Sequence, residues 1–273
     1  MRFGLALGGG GLKGAAHLGV LRVLEENDIR PDIVVGTSAG SIAAALYGAG
    51  LLPAVAAMGN LPLANIFTFE NYRFTGLPLG LINGGTVEIM LKRALGNRLL
   101  SELQPLTAAV ACDLNSGETV VYTAARPIKP LPSDIVIGGD VPTWQAVRAS
   151  ISIPGLFAPY KIGTRLLVDG GLTDNVPVDI ARYLGADIVV AVDLDCDSPR
   201  RNFRHVGEVL LQCLEIIGRR NTSLTLRLYA DLVIKPIKKP VASWDVGQFA
   251  NLIAAGVEET RNNLPQIRRL LGQ

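Results

Sequence analysis

Histidine is almost missing from this chain: 273 residues contain two, His17 and His205, so a catalytic scheme with an imidazole base has two positions to draw on. An excess of charge of one sign is also lacking. Lys and Arg total 26 against 24 Asp and Glu, a formal net charge of +2. The only basic clusters are short, at Arg200/Arg201/Arg204 and Lys235/Lys238/Lys239. No basic stripe of the kind that tracks phosphates is present, so no nucleic-acid partner is expected. Cysteine is scarce and odd in number, and Cys112, Cys196 and Cys213 show no pairing pattern. They read as reduced, buried small hydrophobes in a cytoplasmic protein. No signal peptide is read at the start, because Met1-Arg2 runs directly into FGLALGGGG, too short and too glycine-rich for an apolar h-region. The 30 Gly and 16 Pro follow no triplet period, and no internal repeat, low-complexity tract or linker interrupts the chain, so residues 1–273 are expected to form one domain.

One long uncharged stretch raises the question of membrane insertion. From Ile33 to Phe69 there is no Asp, Glu, Lys, Arg or His. A spanning helix needs about 20 apolar residues, but Gly48, Gly50 and Pro53 interrupt this stretch, and Ser38 and Ser41 precede its most apolar part. A buried core helix is the expectation.

Hydrophobic periodicity alternates between strand and helix along most of the chain. Strands are predicted at Arg2–Leu7, Ile33–Val35, Ala108–Ala111, Thr119–Thr123, Arg165–Val168 and Ile188–Leu194. Helices are predicted after the glycine run, with Leu18, Leu21 and Leu24 on one face, and at Thr86–Leu95, Thr143–Ala149 and Val178–Leu184. Two strands joined by a helix form a βαβ unit with parallel strands. The pattern predicts an α/β fold, a three-layer α/β/α sandwich with a mainly parallel central sheet. Residues 51–106 are less regular and read as a helical cap. From about residue 204 the chain reads as helical, broken by a strand-like Leu232–Ile237, with Pro265 expected to kink or stop the last helix.

Two glycine-rich turns carry the chemistry. The first, Gly8-Gly9-Gly10-Gly11-Leu12-Lys13-Gly14, lies between a strand and a helix, where exposed amides form a site for a phosphate or a reaction oxyanion. Gly9, Gly11 and Gly14 satisfy G-x-G-x-x-G, but a dinucleotide site also wants an acid at the end of the second strand. That strand ends instead in Gly36-Thr37-Ser38, and Lys13 is followed by Gly14 where a P-loop requires Ser or Thr. No nucleotide and no cofactor are therefore expected. The second turn is Gly36-Thr37-Ser38-Ala39-Gly40, a G-x-S-x-G placed after a strand and before an apolar helix. Small neighbours allow the strained strand-to-helix turn that projects a serine hydroxyl.

Ser38 needs a base. His17 lies inside the first helix and reads as a packed or capping residue, and His205 lies in what looks like a solvated turn with Arg200, Arg201, Asn202 and Arg204. Asp169 is the better candidate, at the end of a strand and followed by Gly170-Gly171, where in a parallel sheet strand ends converge on a crevice. A cap on the following turn is the competing role. An aspartate has a reference pKa of about 3.9, so it can serve as a base only in a desolvated site. Asp193, Asp195 and Asp197 alternate along a strand end, but the positions that would complete an EF-hand are Ser198 and Arg204, so no metal is expected.

Taken together these motifs resemble the patatin-like phospholipase family, whose pattern appears here in order. Its elements are GGGLKG at Gly9–Gly14, GTSAG at Gly36–Gly40, Ala149-Ser150-Ile151-Ser152-Ile153-Pro154, and Asp169-Gly170-Gly171. The match covers roughly residues 3 to 195; beyond that only helical character is shared. The resemblance implies the patatin-like form of the sandwich and a Ser38–Asp169 dyad without histidine. It also implies an oxyanion hole from the amides of Gly9, Gly10 and Gly11, aided by Ala39. Lys13 stands where the family often has Arg, to order the loop or attract a lipid phosphate, while Gly14, Gly36, Gly40, Gly170 and Gly171 support the turns. The implied activity is hydrolysis of lipid carboxyl esters, of a phospholipid or lysophospholipid, through an acyl-serine. A lipid ester is the expected partner, with the apolar residues of Leu51 to Leu81 lining or covering an acyl channel and with peripheral contact at a membrane surface. Two alternatives stay open: an acyltransferase using the same dyad, and a catalytically silent binding protein on the same fold.

Overall fold

The computed structural model describes residues 1–52, 79–82, 84–196, 206–241 and 246–273. Strands β1 (Phe3–Leu7) and β2 (Ile33–Thr37) flank helix α1 (Ala15–Glu26), and α2 (Ala39–Gly48) follows β2. Next come β3 (Gly80–Ile82), α3 (Gly85–Leu95), β4 (Leu106–Asp113), β5 (Thr119–Tyr122), β6 (Ile135–Gly139) and α4 (Thr143–Ser150). Three further strands, β7 (Gly155–Phe157), β8 (Tyr160–Ile162) and β9 (Arg165–Asp169), lead to α5 (Val178–Tyr183) and β10 (Ile188–Val192). The chain then forms α6 (Val206–Tyr229), β11 (Leu232–Ile234) and α7 (Phe249–Leu271).

The main sheet has the order β11-β10-β1-β2-β4-β5-β6, with β9 attached to β4 and β8 to β9. From β11 to β4 every pairing is parallel. Both faces of the central strands are apolar, as buried parallel strands require. Leu5 and Leu7 of β1, Val34 of β2 and Val190 and Val192 of β10 point into a core with α1, α2 and Leu252 of α7. The intervening Ala6, Ile33, Val35, Val189 and Ala191 point the other way, onto Ile180 and Ala181 of α5 and Leu226 of α6. This period of two, buried on each side, makes the three layers. A third cluster joins Ala109, Ala111, Val120 and Tyr122 to Ala146 and Ala149 of α4.

The sheet is antiparallel where β4 meets β5 and where β9 meets both β4 and β8. This arrangement positions the site. Along one edge of β4, β2 pairs as far as Thr37 opposite Val110. On that edge β9 arrives from the opposite direction and ends with Asp169 opposite Ala111. Two strands thus approach head-on along one edge, and the residues at their ends, Ser38 and Asp169, are forced together. The sequence-based reason given for Asp169, convergence of parallel strand ends, is corrected here: an antiparallel strand delivers it.

Pro265 neither stops nor divides α7, which runs through it. It sits on the exposed side, where water can solvate the carbonyl it leaves unpaired. Thr260 and Ile267, buried on either side of it, hold the helix down. Two of the three cysteines are buried as expected, but Cys213 is exposed on α6, a correction to the reading of all three as core residues. Of the stretch read as a cap, 53–78 and 83 lie outside the described residues, as does most of the proposed acyl channel; α3 and β3 fall within it. Among the described residues no helix is long and apolar enough to cross a membrane.

Candidate active site

Ser38 occupies the turn between β2 and α2 with φ 51° and ψ −122°. A positive φ is unfavourable for any residue with a Cβ, and a turn of this kind persists only where its surroundings impose it. The surroundings are close-packed main chain. A Cβ on Gly36 would overlap the Gly40 carbonyl, and one on Gly40 would overlap the carbonyl of Leu7 in β1. Glycine at both positions is what lets β2 turn sharply into α2. The Ser38 amide donates to Ser150 Oγ at 2.8 Å, and that hydroxyl donates to the Val110 carbonyl at 2.6 Å, tying the turn to β4. Ser41 Oγ donates to the Ser38 carbonyl at 2.6 Å.

The Ser38 hydroxyl donates to Asp169 Oδ2 at 2.6 Å. Asp169 Oδ1 accepts the Gly171 amide at 2.8 Å, so the carboxylate is oriented at both oxygens. Asp169 therefore fills both roles that the sequence offered it, partner of the serine and cap of the short turn Gly170–Leu172. Its amide donates to the Ser152 carbonyl at 2.9 Å. Burial lifts its pKa to about 6, against the opposing pull of the hydrogen bonds from Ser38 and Gly171. Gly170 lies against the Val110 carbonyl, where a side chain would not fit.

The glycine-rich loop closes the other side. The Gly8 amide donates to Val192 in β10 and its carbonyl accepts from His17 Nε2 at 2.7 Å. His17 is fully buried, and desolvation drives its pKa down to about 4, so the ring is neutral and packed, as the sequence reading had it. Gly9 departs from expectation: its amide donates to the Asn175 carbonyl at 3.0 Å and is committed to holding the loop. Among the described residues, Gly10 and Gly11 are the loop glycines whose amides have no such main-chain acceptor. Ala39, half-buried, supplies the first amide of α2 behind Ser38. Gly14 packs against the Ala39 side chain. Lys13 is buried to 8% side-chain exposure with its Nζ 4.0 Å from Glu215 of α6.

Ser38, Asp169, Gly9, Gly10, Gly11 and Lys13 all line one pocket of about 120 Å³. That is room for roughly four waters, enough for an ester group and the first atoms on either side. Ile153, Pro154, Leu172 and Leu214 give it apolar walls, and Gly171, Asn175, Asp195, Glu215, Gly218 and Arg219 complete it. The tasks of the Ala149–Pro154 segment are not apparent from its sequence. Here Ser150 and Ser152 hold Ser38 and Asp169, and Arg148, 2% exposed, donates to Ser152 Oγ at 2.7 Å. Asn175 was missed altogether; the turn-forming Asp174-Asn175-Val176-Pro177 after the two glycines was its only signal. Of the three alternating aspartates, Asp193 pairs with Lys235 and Asp195 with Arg219, each at 3.3 Å. Asp197 and His205 lie outside the described residues.

Comparison with known proteins identifies relatives of this chain. The model of the patatin-like phospholipase family matches residues 5–182. An uncharacterized NTE family protein of Mycobacterium tuberculosis is 34% identical over 194 residues, covering 70% of this chain and 30% of the relative. A putative patatin-like phospholipase domain-containing protein of Caenorhabditis elegans is 30% identical over 212 residues, covering 75% of this chain and 18% of the relative. The matched region spans less than a third of either relative. Among solved structures, VipD from Legionella pneumophila superimposes with a TM-score of 0.57 at 15% identity, covering 97% of this chain and 67% of that one, a likeness of fold.

Proposed function

The chain belongs to the patatin-like phospholipase family, and from that membership and the geometry at Ser38 we propose that it is a serine acyl hydrolase cleaving carboxyl esters of lipids. The observation that carries the reading is the 2.6 Å hydrogen bond from Ser38 Oγ to a carboxylate whose pKa burial has lifted to about 6. A base is most effective when its pKa lies near the working pH. Asp169 takes the Ser38 proton as Oγ attacks the ester carbonyl carbon. The resulting oxyanion is assigned to the amides of Gly10 and Gly11, with the field of the α2 N-terminus at Ala39 behind Ser38. Each preorganised donor of this type contributes about 3 kcal/mol to the transition state. Collapse breaks the C–O bond, the leaving alcohol takes the proton from Asp169, and the acyl group stays on Ser38. Water, losing its proton to Asp169, then attacks the acyl-serine, releases the fatty acid and returns the proton to Ser38.

A lipid fits better than a small polar ester because Ile153, Pro154, Leu172 and Leu214 face the reacting pair. Work on such a substrate implies peripheral contact with a lipid surface. The test is peptide mass spectrometry after treatment with a fluorophosphonate, on the wild type, Ser38→Ala and Asp169→Asn. A single adduct on Ser38, absent from Ser38→Ala and at least about a hundredfold slower in Asp169→Asn, is expected from loss of a general base. Absence of any adduct on the folded wild type would overturn the hydrolase reading in favour of a silent binding protein.

A further inference from the structure

Helix α6 has two faces of opposite use. At about 100° per residue, Leu214, Gly218, Thr222 and Leu226 fall on one side. Leu214 and Gly218 line the pocket, and Thr222 and Leu226 are buried. Val209, Ile216, Ile217, Leu224 and Leu228 fall on the other side, between 45% and 73% exposed. The remaining exposed large hydrophobic residues are scattered singly over the described surface, which needs no explanation, whereas five on one helix face do. Arg220 and Arg227 are exposed on the same side, and among the described residues of α6 no acidic side chain shares it. An apolar stripe interspersed with cations, whose alkyl stems can lie along it while their guanidinium groups reach outward, is the composition of a helix that lies in a lipid interface.

We infer that the outer face of α6 is the surface by which the protein docks on anionic lipid. The apolar residues enter the boundary between headgroups and acyl chains, and Arg220 and Arg227 meet anionic headgroups. Because the inner face of this helix is a wall of the pocket, docking places the pocket roughly one helix diameter, about 10 Å, from the lipid. This supply of substrate rests on the hydrolase reading above; the docking itself can be measured without turnover.

The experiment uses the full chain and vesicles of phosphatidylcholine, with or without phosphatidylglycerol. The proteins compared are the wild type, Ile216→Glu/Leu224→Glu and Arg220→Gln/Arg227→Gln. Exposed Cys213 lies on the same face, while Cys112 and Cys196 are buried, so an environment-sensitive fluorophore on Cys213 reports immersion directly. The wild type should float with the anionic vesicles and its probe emission should shift to the blue. The glutamate variant should partition at least about tenfold less, since binding scales with buried apolar area. The glutamine variant should lose about fivefold per arginine at low salt, and most of its salt dependence. Hydrolysis of a soluble short-chain ester should stay within about twofold in both, as for surface substitutions in general. Failure of the wild type to float, or unchanged flotation of the glutamate variant, would overturn the inference. So would conversion of a wild-type dimer to monomer by the glutamates with flotation unchanged, which would make the face a contact between copies. Flotation and a blue shift without fluorophosphonate labelling of Ser38 would leave the docking surface standing and remove the hydrolase reading.

Discussion

At the scale of single residues, Ser38 and Asp169 each sit in an unfavourable state that their neighbours impose. The Ser38 turn, with its positive φ, costs on the order of 1–3 kcal/mol. Asp169 loses its hydration and gains only two hydrogen bonds, and its pKa rises from 3.8 to about 6. Two consequences follow from that shift. Ester hydrolysis by the mechanism proposed above needs the ionised carboxylate, so the rate on a soluble ester should climb with pH through a midpoint near 6 and be lost below it. Stability runs the other way. A group whose folded pKa is raised binds its proton more tightly in the folded state, so the protein loses stability as pH rises from about 4 to about 6, then stays level. Asp169→Asn removes the charge while its amide can still donate to Ser38 Oγ. At pH 8 it should be inactive yet more stable than the wild type by on the order of 1–3 kcal/mol, with the gain vanishing near pH 4. Urea titrations at the two pH values check this; equal stability at pH 8 would mean that the Asp169 carboxylate is not strained by burial.

At the scale of elements, what was legible in the sequence was what depends on local chain chemistry. The strand–glycine–helix turns at Gly8–Gly14 and Gly36–Gly40 announce themselves, because a Cβ would collide with neighbouring side chains in the first and with main chain in the second. The strands β1, β2, β4, β5, β9 and β10 and the helices α3, α4 and α5 are marked by periodicity, within a residue or two at their ends. The direction of β9 was not legible: that it runs antiparallel to β4 is decided by pairing across more than fifty residues of sequence. The short strands β6, β7 and β8 were missed for the same reason, and Asn175 because its carbonyl acquires its task only when the glycine-rich loop folds over it. Helix packing was equally silent. Gly19 of α1 and Gly256 of α7 look like ordinary helix-weakening residues, yet they let the two helices touch main chain to main chain. A Cβ on Gly256 would overlap the Ala16 carbonyl, and one on Gly19 the Ile253 carbonyl. Gly256→Ala, favourable by helix propensity, should therefore destabilise the protein by about 2 kcal/mol or more, the usual cost of overpacking. Chemical denaturation measures it, and a neutral or stabilising result would show that α7 can shift away from α1 at little cost.

At the scale of the whole molecule, an excess of buried acid shapes the response to pH. Burial raises the pKa of Asp169, Asp174, Asp179 and Asp193 alike. Each is a contribution present in acid and lost as pH rises through the interval between the unfolded value near 3.8 and the raised folded value. His17 opposes them: its folded pKa, about 4, lies below the unfolded 6.5, so its contribution is present above 6.5 and lost as pH falls towards 4. Among these groups Asp174 and Asp179 form the most adverse pair. Asp174 is buried, its Oδ2 has no hydrogen-bond partner, and the neighbouring Asp179 charge adds to the desolvation. Two carboxylates so placed cannot both ionise cheaply, and the pair retains a proton well above the usual carboxylate range. Asp174 is tied to the Ser38 turn through its main chain, whose carbonyl accepts the Thr37 hydroxyl at 2.9 Å, so a side-chain amide leaves that link in place. Asp174→Asn should therefore raise the melting temperature at pH 8, where the wild type must either ionise the pair or hold its proton against the bulk. At pH 4, below the raised pKa of Asp174, the two proteins should melt together. A scan of melting temperature against pH for both proteins decides the point: parallel curves offset equally at pH 4 and pH 8 would assign the effect to packing, and only a difference that opens with rising pH assigns it to the charge held between Asp174 and Asp179.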